Sequence, residues 1–405
     1  MAVGPDTLPK LHPVAGFRLG IASAGIKTIG RKDVVVMAVA EGASVAGVYT
    51  QNAFCAAPVQ VAKRHQAEAS ARYLLVNTGN ANAGTGEQGL QDSLSSCKAL
   101  AGLVAQPVNT ILPFSTGVIG EPLPVEKITA VLPQALADLS EHHWAVAAEG
   151  IMTTDTRPKA ASKQIELAGE TITITGIAKG AGMIKPNMAT MLGYVATDAG
   201  IAQALLERMV GAAVDASFNR ITIDGDTSTN DACMLVATGQ SAISISSESD
   251  ALFAPLQDAI SSVFIELAQG LVRDGEGASK FVTVAVSGGT TEQECLKVAY
   301  TVAESPLVKT ALFASDPNWG RLLAAIGRAG VDGLDVERVS VHLNEVLIAE
   351  CGCRAASYTE QQGSAVMACE EITIAINLDR GNAEATVWTS DLSHEYVRIN
   401  AEYRT

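Results

Sequence analysis

Aromatic side chains are scarce in this chain, 4% of 405 positions, while hydrophobic residues make up 48%. Its cores must therefore be aliphatic, packed from Ala, Val, Ile and Leu, and the chain is long enough for two domains. Long basic runs are absent, and 28 Lys plus Arg face 43 Asp plus Glu, a formal net charge of −15. Nucleic acid requires a concentrated positive footprint, so that partner is set aside. An anionic ligand would need a few Lys or Arg gathered in its pocket against the overall sign. The seven cysteines (Cys55, Cys97, Cys233, Cys295, Cys351, Cys353, Cys369) are odd in number and scattered. That speaks for reduced thiols rather than a disulfide framework. Cys351 and Cys353 lack a second pair or a neighbouring His, and the six His show no ligand spacing, so no metal is expected. No apolar run approaches the length of a membrane span, and the Pro-broken N-terminal stretch does not read as a signal peptide. The expectation is a soluble cytoplasmic protein without a membrane partner.

What is present is alternating strand and helix patterning. Residues 34–50 and 72–77 read as strands, with a loop at 52–59 and a Gly/Asn-rich loop at 77–89. A helix follows at about 88–105, and helical patterns occupy about 125–149. TITITGI, from Thr171 to Ile177, alternates as a half-buried strand, and Asp198 is placed to cap a helix over 201–217. A long amphipathic helix at about 250–272 precedes a tail of strands and helices that reads as its own unit, with a boundary near 285. No G-x-G-x-x-G follows a strand, which disfavours a dinucleotide fold. The predicted class is α+β, with mixed or antiparallel sheets layered with helices and a smaller C-terminal α+β domain over 286–405.

The most unusual stretch is KGAGMIKPNMATMLGYVATDA, Lys179 to Ala199, centred on Ala189-Thr190. A Gly- and Pro-broken approach delivers a small residue and then a hydroxyl. A Thr hydroxyl is a poor nucleophile unless a base is at hand, and an N-terminal Thr carries one in its own α-amine. That amine has an ordinary pKa of about 7.7–8.0, suited to proton transfer near neutrality. Thr190 is internal, so the chain must first be cut before it, through attack of its own oxygen on the Ala189 carbonyl. Such a cut needs donors for the oxyanion. Thr116-Gly117 offers a hydroxyl beside a Gly, although the same pair also reads as a plain turn.

This stretch, with QNAFCAAPV, NTGNANAGTG, STGVIG, MTTDT, DGDTSTND, DGEGASK, SDPNWGR and YVRINAEYRT, resembles the ornithine acetyltransferase (glutamate N-acetyltransferase) family over nearly the whole chain. The resemblance implies self-cleavage between Ala189 and Thr190, giving chains 1–189 and 190–405 that remain together as an α2β2 heterotetramer. It implies Thr190 as nucleophile, Thr116 and Gly117 as the oxyanion hole, and substrate contacts from Thr153, Lys179, Thr190, Glu276, Asn400 and Thr405. It also implies acetyl transfer from N2-acetylornithine to glutamate in arginine biosynthesis, releasing ornithine, without a cofactor and with acetyl-CoA as a candidate second donor. Lys179 suits the substrate carboxylate and Glu276 its ammonium. Taken alone, Lys179 reads equally as a loop charge, Glu276 as a helix-end residue and Asn400 as a turn residue. The hydroxyl-rich loop from Asp224 to Asp231 does not fit an EF-hand and reads as a self-bonding support. Two other readings stand beside acetyl transfer: a self-cleaving aminopeptidase or amidohydrolase, and a non-catalytic assembly protein.

Overall fold

Strands covered on both faces carry unbroken apolar runs, and the sequence VVVMAV of β2 (Val34–Val39), buried at every position, is one of them. The computed structural model that shows this describes residues 2–185 and 191–402. In it, β2 lies between β1 (Phe17–Ala22) and β4 (Tyr73–Asn80), with β5 (Ile111–Val118) parallel to β4 at the edge. A second sheet takes β3 (Ser44–Tyr49), β6 (Lys159–Leu167), β7 (Glu170–Lys179), β8 (Leu192–Thr197) and β11 (Ala232–Ala237). Its order is β3-β11-β8-β7-β6, with β8 and β11 parallel and the other pairs antiparallel.

The two sheets face one another. Phe17, Met37, Leu74 and Phe114 of the first meet Ile177, Tyr194, Met234 and Val236 of the second in one core. Phe114 and Tyr194 touch edge to face with ring centroids 5.4 Å apart. Helices α1 (Ala57–Glu68), α2 (Gly86–Val104) and α3 (Val125–Ala137) back the first sheet, where Leu100, Ile128 and Leu132 cover Val34, Val36 and Leu75. Helix α4 (Trp144–Gly150) stacks Trp144 on Phe17 at 5.1 Å. On the far side, α5 (Gln203–Ala216) and α6 (Phe253–Arg273) lay their predicted apolar faces on the second sheet. The result is four layers, helix–sheet–sheet–helix. A two-stranded ribbon of β9 (Gly200–Ile201) and β12 (Ser244–Ile245) sits at its margin.

The third sheet gathers β10 (Ile221–Thr222), β13 (Phe281–Gly289), β14 (Ser340–Leu343), β15 (Val346–Glu350), β16 (Cys353–Arg354), β17 (Glu371–Asn377) and β18 (Ala383–Ser390). Its order is β10-β18-β13-β17-β14-β15-β16. Helices α7 (Glu292–Ala303), α8 (Pro306–Phe313), α9 (Trp319–Gly327) and α10 (Glu360–Met367) accompany it, and α11 (His394–Ala401) returns the chain toward the first two sheets. Among the described residues no helix is long and apolar enough to cross a membrane.

Several expectations are corrected. The stretch 34–50 is two strands, turned at Gly42 with φ +80°. The loop at 52–59 gives way at Ala57 to α1, whose first turn accepts Pro58 because a first-turn N–H has no intrahelical acceptor. The Gly/Asn loop begins after Asn80, not at 77. From Ile172 on, TITITGI is buried on both faces, because the N-terminal segment covers the outer one, where Thr175 donates to the His12 carbonyl at 2.7 Å. Asp198 does not cap α5, whose N-cap is Ala202; its carboxylate accepts from the Thr173 N–H at 3.0 Å. The boundary near 285 falls inside β13, so the third sheet begins at Phe281, and β10 joins it from well before. Helix α10 carries the T-x-x-Q capping box of Thr359 and Gln362.

The shared core of the two sheets has a measurable consequence. Phe114→Ala should cost about 3–5 kcal/mol of unfolding free energy in a urea titration. A loss below about 1 kcal/mol would contradict the face-to-face packing.

Candidate active site

Parallel β4 and β5 end on the same side of the first sheet, and there the chain needs glycine. Gly117 has φ +133°, beside the irregular pairing at Gly79 and Asn80, and a Cβ on it would collide with the Gly79 carbonyl group. Ser115 donates to Asn77 Oδ1 at 2.6 Å, and Asn77 Nδ2 to the Asn80 carbonyl at 2.9 Å, pinning the two strand ends together. From the opposite sheet Asn230 Nδ2 donates to the carbonyls of Ala81 (2.5 Å) and Ser115 (2.9 Å). These bonds open a cleft of about 270 Å³ between the ends of the two sheets. Thr116, Gly117, Thr153, Lys179, Glu276 and Asn400 all line it. Small-molecule sites are commonly clefts of this kind, with a few convergent polar groups.

Under the cleft lies a buried ion cluster. Lys159 Nζ pairs with Asp155 and with Asp274, the latter at 2.5 Å, and all three side chains are almost fully shielded. Asp155 also accepts the N–H of Thr153 (2.8 Å) and of Gly180 (2.7 Å), while Asp274 accepts the N–H of Thr156 at 3.0 Å. Burial pushes the Asp155 carboxyl up, but Lys159 and Lys179 outweigh it and hold it well below the usual carboxylate range. Lys179, at the end of β7, is 9% exposed and donates to Thr116 Oγ1 at 3.3 Å. Burial pulls its ammonium below the usual lysine range, against the opposing pull of Asp155 and Glu276.

Glu276 follows the end of α6, 7% exposed, and accepts from Asn400 Nδ2 at 2.7 Å. A Cβ on Gly182 would collide with that carboxylate, so the glycine lets the Lys179–Met183 turn lie against it. Asp231 is 3% exposed and lines the cleft just before β11. Burial pushes its carboxyl well up, more than a hydrogen bond from Ser228 and the Lys179 charge pull it down.

Two plainer readings of single residues fall away. Lys179 is not a solvated loop charge, and Asn400 lies on α11 rather than in a turn. The loop from Asp224 to Asp231 bonds outward as well as to itself: Asp224 accepts from the N–H groups of Met183 (2.6 Å) and Ile184 (2.8 Å) and from the Tyr396 hydroxyl (3.2 Å). Ala189, Thr190 and Thr405 lie outside the described residues; Met183 on one side of the cleavage stretch and Met191 on the other both line the cleft. Sequence reasoning missed Asp155 and Asp274 as a pair. Each sits inside a quoted stretch, MTTDT and DGEGASK, but their shared lysine, Lys159 at the start of β6, lies in neither. A second cleft of about 290 Å³, lined by Lys27, Arg31 and Asp33, shares Gly117, Val118, Thr153 and Thr154 with the first. Among the described residues no cluster of His, Cys, Asp and Glu is arranged to hold a metal ion.

Removing one member of the ion cluster should expose its strength. Asp155→Asn leaves part of the Lys159 charge uncompensated and should cost roughly 3 kcal/mol at pH 7. The folded carboxyl sits below its unfolded value, so its contribution is present above about pH 4 and fades as pH falls. Denaturant unfolding of both chains at pH 7 and pH 3 should therefore show the gap narrowing in acid. A gap independent of pH would contradict the assignment.

Comparison with known proteins follows the same residues. The model of the ArgJ family matches residues 18–405. The chain is 64% identical over 406 residues to the arginine biosynthesis bifunctional protein ArgJ of Pseudomonas syringae pv. tomato, covering 100% of both chains. It is 56% identical over 407 residues to the protein of the same name from Psychrobacter arcticus, again with full coverage of both. Among solved structures, a crystal structure of arginine biosynthesis bifunctional protein ArgJ from Bacillus halodurans matches with a TM-score of 0.50 and 36% identity. It covers 52% of this chain and 99% of its own.

Proposed function

This chain belongs to the ArgJ family, and we propose that it moves the acetyl group of N2-acetylornithine to glutamate, with Thr190 as the acetyl carrier. The observation that carries this reading is the cleft, which gathers Thr116, Gly117, Thr153, Lys179, Glu276 and Asn400 from across the sequence. In the first step the Thr190 oxygen attacks the Ala189 carbonyl and the C–N bond breaks, which frees the α-amine and leaves an ester; water then cleaves the ester to the Ala189 carboxylate and the Thr190 hydroxyl. Chains 1–189 and 190–405 then stay together as an α2β2 assembly in the cytoplasm. The Bacillus halodurans chain, which spans about half of this one, has the length relation expected of a chain cut near its middle.

In the transfer itself the Thr190 α-amine takes the hydroxyl proton as the oxygen attacks the acetyl carbon. The C–N bond to ornithine breaks, and the departing nitrogen recovers the proton, leaving an acetyl ester on Thr190. The amine of glutamate then attacks that ester, N-acetylglutamate leaves, and the hydroxyl is restored. Lys179 supports the oxyanion through Thr116: with an ammonium on its oxygen at 3.3 Å, the Thr116 hydroxyl is left to donate into the cleft beside the Gly117 N–H. Glu276, oriented by Asn400, answers a substrate ammonium. Thr153 and Thr405 complete the polar contacts. No cofactor enters this scheme.

Purified chain supplied with N2-acetylornithine and glutamate should form N-acetylglutamate; no product would refute the reading. Free acetate released without dependence on glutamate would instead make it a hydrolase. The relatives named bifunctional support a second activity, and acetyl-CoA offered in place of N2-acetylornithine tests whether that donor is used. Thr190→Ala should run as one full-length band under denaturing conditions, and Thr190→Ser should retain part of both cleavage and transfer. Thr116→Ala should lower kcat by about 10²–10³-fold, the usual effect of losing one oxyanion donor.

A further inference from the structure

The loop that ends at Asp231 is held more firmly than a supporting turn requires. Asn230 ties it to the ends of β4 and β5, the Asp231 carbonyl accepts from the Thr50 N–H at 3.0 Å, and the Ala232 N–H donates to the Met191 carbonyl at 3.0 Å. β11 then runs parallel to β8 from Ala232 opposite Leu192, so Asp231 sits across from Met191, the residue bonded to Thr190. The Asp231 Oδ2 is buried and without a hydrogen-bond partner among the described residues, in a side chain that lines the cleft. An orphaned buried polar atom is costly and invites a functional partner.

Resting on the acyl-transfer reading above, we propose that Asp231 is a positioning residue for Thr190: the peptide that follows it holds the Met191 carbonyl, and its buried Oδ2 offers a hydrogen-bonding atom in the cleft beside the residue bonded to Thr190. An uncharged acid suits this place. The α-amine must be uncharged to take the Thr190 proton, and a carboxylate at this place would stabilise the ammonium and withdraw the base. Burial of the Asp231 carboxyl, away from water, favours the uncharged acid. The polar groups that share the cleft with it are Lys179 at the end of β7, Glu276 after α6, and Ser228 on its own loop.

Three full-length proteins assayed side by side decide the matter: the unaltered chain, Asp231→Asn and Asp231→Ala, each purified and scored for cleavage and for acetyl transfer across pH 6–9. Asp231→Asn keeps an uncharged acceptor and donor, and should keep kcat within about threefold and the same acidic limb of the kcat profile. Asp231→Ala should lose about 100-fold in kcat with KM within about threefold, the mark of a displaced reacting group rather than a lost binding contact. An Asp231→Ala protein with unaltered kcat overturns the proposal. So does an Asp231→Asn protein whose acidic limb moves, since that would require a titrating carboxylate. If Asp231→Ala does not fold, the Asp231→Asn profile decides alone. Absence of transfer by the unaltered chain refutes the functional reading itself, and this proposal with it.

Discussion

A lysine buried between two carboxylates holds this site together. Lys159 sits on β6, outside the cleft, and pairs with Asp155, four residues before it, and with Asp274 at the end of α6. Asp155 fixes the Thr153 turn and the Gly180 turn at the end of β7, and Asp274 fixes the Thr156 segment at the end of α6. Two residues after Asp274 comes Glu276, and one before Gly180 comes Lys179. One ion cluster thus sets the positions of three of the cleft's polar groups. Charges so well shielded cost several kcal/mol to desolvate and are tolerated only where each is paired and hydrogen-bonded, as they are here.

The overall charge of the chain is strongly acidic, but the cleft is organised around a cation. Lys179 lies among Asp155, Asp231 and Glu276, and the members of this group shift one another in different directions. Asp155 has two lysines and backbone donors around it and stays ionised, whereas Asp231 has fewer partners and burial wins. Two carboxyl groups close to one cleft are thereby shifted in opposite directions by their surroundings.

The layered α+β class, the apolar faces of α5 and α6, and most strands of the third sheet were readable from residue periodicity. The motif resemblance named six of the cleft-lining residues before any geometry was available. Periodicity misled where burial was two-sided: TITITGI alternates like a half-exposed strand, but the N-terminal segment covers its outer face and the threonine hydroxyls find partners there. Asp198 looked like a helix cap because the helix lay near in sequence, while its acceptor role is toward Thr173 on a neighbouring strand.

The sequence by itself determined the chemistry on offer: a hydroxyl behind a small residue in a Gly- and Pro-broken approach, the lysine, the glutamate and the asparagine, and the glycines that permit close contact. Local composition carries that information because each depends on the residue's own side chain or backbone freedom. Only the tertiary structure decided which of these meet and what charge they bear. Lys179 reaching Thr116, Asn400 orienting Glu276, and Asp231 lying across from Met191 each join residues far apart in the chain. Their protonation follows from how much water the packed sheets exclude, and a linear sequence holds no record of that.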